Sequence, residues 1–149
     1  MLVLERIISG GQTGVDQAGL EVARDLGYLT SGTMPKGFLT AAGPDKLLAR
    51  DYGLMESWSP GYRVRTRQNV ADSEMTVWFG NPRSPGGRLT LSCCMQLNKR
   101  YMVNPTAEQL RAALEKYAVK VLNVAGNRKH TNPQASELAT AVLTEALRR

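Results

Sequence analysis

The residues best suited to chemistry form one short run near the start of the chain, Ser9-Gly-Gly-Gln-Thr-Gly14, with Asp16 just beyond it. Glycine carries no Cβ and tolerates positive φ, so such a run lets backbone N–H groups approach a ligand closely. Before it, Ile7 and Ile8, fed by Leu2, Val3 and Leu4, read as a buried strand. After it, Val15, Ala18, Gly19, Val22, Ala23 and Leu26 recur at helical spacing. Strand, glycine-rich turn and helix together aim free N–H groups and a positive helix end at an anion. Ser9, Gly10, Gly11, Gln12, Thr13, Gly14 and Asp16 are therefore candidate ligand contacts. The run matches neither Gly-x-Gly-x-x-Gly nor the P-loop pattern, so it supports neither a standard dinucleotide site nor a P-loop ATPase.

Two more turns of this kind follow apolar segments, at residues 80–87 and 123–128. In open α/β sheets, ligands bind outside the C-terminal ends of the strands. Three polar, glycine-bearing turns at such ends can cradle a phosphate without a lysine at every corner. Gly80, Asn81, Ser84, Gly86, Gly87, Thr90 and Gly126 join the candidate contacts. Lys36, in the turn Met34-Pro-Lys-Gly37, and Arg65 are the candidate ligand-facing charges. Arg65 and Asn69 fall four apart on one face of a short helix, whereas Arg63 and Arg67 read as solvated.

No catalytic residue stands out. Asp16 is the best-placed acid for proton transfer, yet a carboxylate in a first helical turn also serves the helix dipole. His130 has no nucleophile placed to use it. One histidine and a single adjacent cysteine pair offer no metal-ligand set. Cys93 and Cys94, neighbours in a helical segment, read as small core residues rather than a disulfide framework.

The elements that position these residues alternate in type. Gly27 ends the first helix, and residues 28–33 form a second strand. Residues 38–54 read as a loop excursion with one or two helical turns over 44–50. A short helix spans 62–73, a buried strand 75–79, and a helix begins at Leu89. Residues 100–103 form a strand, Thr106-Ala-Glu-Gln109 has the form of a capping box, and that helix runs to Tyr117. A strand over 119–125 and an amphipathic helix from Pro133, capped by Asn132 or Ser136, complete the chain. Alternation of this kind predicts one α/β domain over residues 1–149, a mostly parallel sheet with helices on both faces.

At 149 residues with 42% apolar content, one domain can bury a core. No apolar run reaches membrane-span length and no signal-peptide pattern opens the chain, so the cytoplasm is the expected compartment. A net charge of +6 suits an anionic partner. The basic residues are scattered and aromatics make up only 6%, which favours a small anionic ligand over nucleic acid.

Five motifs occur in order: Ile8-Ser-Gly-Gly-Gln-Thr-Gly-Val-Asp16, Met34-Pro-Lys-Gly37, Tyr62-x-x-Arg65-Thr-x-x-Asn69-Val, Trp78-Phe-Gly-Asn-Pro-x-Ser-Pro-Gly86 and Asn123-Val-Ala-Gly126. Together they resemble the YpsA-like branch of the SLOG superfamily, whose members are often labelled molybdenum carriers. The resemblance implies a Rossmann-like fold, related to lysine-decarboxylase-like proteins and cytokinin-activating phosphoribohydrolases. It implies a site at the three turns for a nucleotide or a phosphorylated pterin such as the molybdenum cofactor, and a homo-oligomer. The phosphoribohydrolase relatives carry Pro-Gly-Gly-x-Gly-Thr-x-x-Glu, with a catalytic glutamate. Here Leu89 replaces the later glycine and Cys93 stands at the glutamate position. A thiol cannot act as that carboxylate. Ligand binding is thus the leading expectation, nucleotide hydrolysis through Asp16 the second and nucleic-acid binding the third.

Overall fold

The computed structural model describes residues 1–149. Short apolar segments become strands and the amphipathic segments between them become helices: β1 (Arg6–Ile8), α1 (Val15–Asp25), β2 (Leu29–Met34), β3 (Leu39–Thr40), β4 (Gly43–Pro44), α2 (Lys46–Tyr52), β5 (Leu54–Glu56), α3 (Tyr62–Ala71), β6 (Met75–Phe79), α4 (Pro85–Gln96), β7 (Arg100–Val103), α5 (Ala107–Lys116), β8 (Val121–Gly126) and α6 (Pro133–Ala146). Six strands build one parallel sheet in the order β5-β2-β1-β8-β6-β7, while β3 and β4 pair as a separate antiparallel hairpin. This is the Rossmann-like α/β architecture expected from the alternation and the resemblance.

The strand order has a further logic. Counted from β8, strands add outward as β8, β1, β2, β5 on one side, then β6 and β7 on the other. That is a doubly wound sheet whose direction reverses between β8 and β6, the place where such sheets open a crevice. In this chain β8 comes last and inserts between β1 and β6.

Period-two alternation sorts the strand side chains onto two faces. Met75, Val77 and Phe79 of β6 join Ile7, Leu122 and Val124 against α1, α5 and α6, in a core cluster of 19 buried residues. Thr76 and Trp78 point the other way, toward α3 and α4, where Val70, Cys93 and Cys94 form a much smaller cluster. Both thiols are buried, as expected of core residues, and burial pushes both up from the ordinary thiol value.

Three local expectations change. The helix expected from Leu89 starts at Pro85, because proline is favoured at the first helical position and Ser84 Oγ accepts the Gly87 N–H. Gly86 and Gly87 therefore belong to the first turn of α4, not to the loop before it. The excursion at 38–54 holds a hairpin, α2 and, at its end, β5, which adds an edge strand to the sheet. A three-residue strand with two exposed side chains has no periodicity to read. Asn132 occupies the N-cap of α6 but makes no side-chain cap bond, whereas the Thr106–Gln109 capping box forms in full. No helix is long and apolar enough to cross a membrane.

Candidate functional site

The three glycine-bearing turns meet because one residue, Asn127, ties them together through its side chain and its backbone. Asn127 Oδ1 accepts the Asn81 N–H at 2.6 Å, and its Nδ2 donates to Ser84 Oγ at 3.0 Å. Its backbone carbonyl accepts the N–H of Val15 at the start of α1. Close approach is what the glycines permit. A Cβ on Gly14, at φ +96°, would press on the Asn127 carbonyl at 2.6 Å. One on Gly80, at φ +121°, would overlap the Asn127 amide.

Between these turns and helices α3 and α4 lies a cavity of about 310 Å³. Its floor is Ala125 and Gly126 of β8, with Trp78 of β6 beside them. Gln12 and Asp16 enter from the first turn, Tyr62, Arg65 and Thr66 from α3, and Gly86, Leu89 and Thr90 from the start of α4. Ser84, Pro85, Asn127, Arg128 and Thr131 complete the lining. The cavity thus opens at the reversal point of the sheet.

Its electrostatics centre on one buried pair. Asp16 Oδ2 accepts the Gln12 backbone N–H at 3.2 Å and lies 3.6 Å from Nη1 of Arg65. Gly10 makes this approach possible, since a Cβ there would overlap the Arg65 guanidinium. Burial pushes the Asp16 carboxyl above the ordinary carboxylate value, while Arg65, the Gln12 N–H and Arg128 pull it back. Burial likewise lowers Arg65, with Asp16 opposing. Arg128 stacks over the Tyr62 ring at 3.9 Å, and Arg65 lies 5.3 Å from the same ring centre. Two guanidiniums against one carboxylate leave a net positive cavity, suited to an anion.

Hydrogen bonding is incomplete in one place. Three buried side-chain atoms of the protein have no partner: Gln12 Oε1, Arg65 Nε and Trp78 Nε1. All three belong to residues lining this cavity. An unpaired buried polar group costs about 1–3 kcal/mol, so folded proteins rarely leave three together. The N–H of Gly86, in the first turn of α4, also has no backbone or side-chain partner, as expected of a helix N-terminus.

Of the residues singled out from sequence, the structure brings Gln12, Asp16, Arg65, Ser84, Gly86, Thr90 and Gly126 to the cavity wall. Ser9 is buried beneath, donating its hydroxyl to the Asp16 carbonyl at 3.0 Å and accepting the Gly11 N–H. Gly10 lies under Arg65, and Gly11 faces Leu54 and Met34. Thr13 and Gly14 lead into α1. Lys36 is exposed beyond β2, held only through its backbone N–H to the Ser59 carbonyl. Asn69 is buried and staples α3 to β2, accepting the Thr33 N–H at 2.8 Å and donating to the Thr33 carbonyl at 3.0 Å. Asn104 clasps the backbone of Gly80 from both sides. Asn81 offers its N–H to Asn127, and the Gly87 N–H is spent on Ser84. Cys93 packs with Val70, Leu89 and Leu97 rather than on the cavity.

Sequence reasoning did not assign a site role to Tyr62, Thr66, Trp78 or Arg128. Trp78 carried the strongest available signal, a polar-tipped aromatic near the end of a strand that runs into a glycine turn. Arg128 lay at the end of the third turn, where a cation could have been weighed beside Lys36.

Comparison with known proteins agrees with this fold. None of the curated proteins matches the sequence significantly. Among solved structures, the chain is similar to the 1.45 Å crystal structure of a "Putative molybdenum carrier protein" from Syntrophus aciditrophicus SB, with 29% identity and a TM-score of 0.87. The match covers 98% of this chain and 96% of that one. Residues 7–147 match the model of the circularly permutated YpsA SLOG family. The chain belongs to the circularly permutated YpsA SLOG family.

Proposed function

We propose that this protein binds a phosphate-bearing small molecule, a nucleotide or a phosphorylated pterin of the molybdenum-cofactor type, in the cavity between the three turns and helices α3 and α4. The observation that carries this reading is the cavity's charge: Arg65 and Arg128 line it with Asp16 as the single carboxylate. Arg65, Arg128 and the free Gly86 N–H supply positive potential for the ligand's phosphate. The relative labelled a molybdenum carrier is consistent with a small-molecule cargo.

A pterin-bound metal fits this donor set better than a bare one. No group of three or more His, Cys, Asp and Glu side chains stands where it could hold a metal ion. Molybdenum would have to arrive already ligated by its own cofactor, with the protein holding the organic and phosphate parts. Homo-oligomeric assembly belongs to the same reading and rests on the family resemblance, whereas cytoplasmic location is an expectation from the sequence pattern alone.

Hydrolysis of a bound nucleotide is the second reading, favoured by one observation: Asp16 is the single carboxylate on the cavity wall. The two readings separate in one experiment. Calorimetry with molybdate, phosphorylated pterin and a nucleotide panel should show saturable binding to at least one ligand, with the ligand recovered intact. Recovery of a free base or of inorganic phosphate, abolished by Asp16→Asn, would favour the enzyme. No heat with any ligand would refute both.

A further inference from the structure

At one end the sheet stops at β7, which pairs with β6 alone. Edge strands are commonly shielded by proline, a bulge or a covering element. β7 holds no proline, keeps unbroken register with β6, and no hydrogen bond ties its main chain to any other element. The Asn104 N–H reaches the Trp78 carbonyl at 2.8 Å, so by alternation Arg100 and Met102 also turn their main chain toward β6. Tyr101 and Val103 therefore turn theirs outward, as free donors and acceptors. The side chains alternate too. Arg100 and Met102 share a face with Met75 and Val77, their partners in register. On that face a groove of about 460 Å³ lies between β7 and α5, lined by Met75, Met102 and Ala113. Lys99, Arg100 and Lys116 also line it, and no carboxylate does. Lys99 already donates to the Ala71 and Ser73 carbonyls, whereas Arg100 and Lys116 are in no ion pair. Both cations lie against the Tyr117 ring, at 3.9 Å and 5.3 Å from its centre. On the opposite face Tyr101 and Val103 stay 41% and 36% exposed.

We propose that β7 is a docking edge for an extended acidic segment of a partner protein, which adds a strand to the sheet. Main-chain bonds to Tyr101 and Val103 hold the segment, and its side chains fall alternately on the two faces. Carboxylates on the α5 face meet Arg100 and Lys116, while apolar residues on the other face meet Tyr101 and Val103. A second copy is a poor occupant. Pairing β7 with β7 would bring the same uncompensated cations together, in a chain whose net charge is +6. No residue lines both this groove and the ligand cavity, so partner docking and ligand binding are separable.

Fluorescence anisotropy of the full chain with a labelled Glu-Val-Glu-Val-Glu-Val peptide tests the assignment. Saturable binding that weakens with added salt is expected, and Arg100→Glu should weaken it about 10-fold. Tyr101→Pro removes an outward N–H without touching the ladder to β6, and should weaken binding at least as much. Arg100 is exposed, so its variant decides even where the proline destabilises the strand. A Glu-Glu-Glu-Val-Val-Val peptide of equal charge should bind more weakly than the alternating one. Absence of binding by the alternating peptide overturns the proposal, as does equal binding of the block peptide or binding that survives both substitutions. So does sedimentation showing a dimer of the native chain and a monomer of Tyr101→Pro, which would give the edge to a second copy.

Discussion

On one face of the sheet, apolar side chains from β1, β6 and β8 pack with α1, α5 and α6 in a single cluster of 19 buried residues. On the other face, the cluster between α3 and α4 holds only Val70, Cys93 and Cys94. Polar groups take much of the remaining space there: Asn123 donates to Thr76 Oγ1, and Asn69 staples α3 to Thr33. The cavity and all three unpaired buried atoms lie on this second side. The 19-residue cluster is closed by interlocking apolar side chains and holds none of the unpaired buried atoms. The division teaches that the main apolar core and the proposed ligand site lie on opposite sides of the same six strands.

The division breaks if disturbing one side disturbs the other. The largest effect is expected from Leu114→Ala, which opens a hole among fully buried residues of α5. It should cost about 2–5 kcal/mol in urea unfolding, with ligand affinity unchanged in the folded fraction. Asn127→Ala comes next, because it strands the Asn81 N–H and loosens both walls. A loss of about 1–3 kcal/mol in stability together with weaker binding would mark Asn127 as the joint between turns. Gly10→Ala should act mainly on binding. Its Cβ displaces the Arg65 guanidinium, and affinity measured by calorimetry should fall about 10–100-fold.

A pH titration sharpens the same contrast. Asp16 accepts through both oxygens and balances Arg65 only when ionised, and burial raises its pKa against the pull of Arg65 from α3, the Gln12 N–H and Arg128 after β8. Affinity should therefore decline with falling pH from above the ordinary carboxylate value, and Asp16→Asn should flatten that decline. For stability the sign reverses. Between the unfolded and the raised folded pKa the folded protein binds more protons, so this group's contribution to stability falls as pH rises through that window. The smallest effect belongs to Cys93→Ala: about 1 kcal/mol of stability, and no change in affinity, since the thiol packs between α3 and α4.

Much of the fold was legible because its signals are local. Val15 to Leu26 repeat at helical spacing, Met75–Phe79 is a continuous apolar run, and Thr106 with Gln109 writes a capping box. β5 was not legible, for its three residues take their strand character from pairing with β2 rather than from any pattern of their own. The turns announced themselves by glycine, yet glycine count alone does not say which side of a turn meets a ligand. Gly11 and Gly86 look alike in sequence, but the first faces Leu54 and Met34 and the second faces the cavity. Likewise Lys36 and Arg65 are both cations beside polar turns. Only tertiary packing separates the exposed one from the one held against Asp16.

The two tryptophans provide the most direct test of the binding claim. Trp78 is 2% exposed and carries one of the unpaired atoms, whereas Trp58 is 78% exposed and does not line the cavity. Their indole N–H groups give two resolved signals in a ¹⁵N-correlated NMR spectrum. Titration with a ligand that binds by calorimetry should move the Trp78 indole signal saturably and leave Trp58 in place. A bound ligand that leaves Trp78 unmoved, or that moves Trp58 instead, would contradict the account.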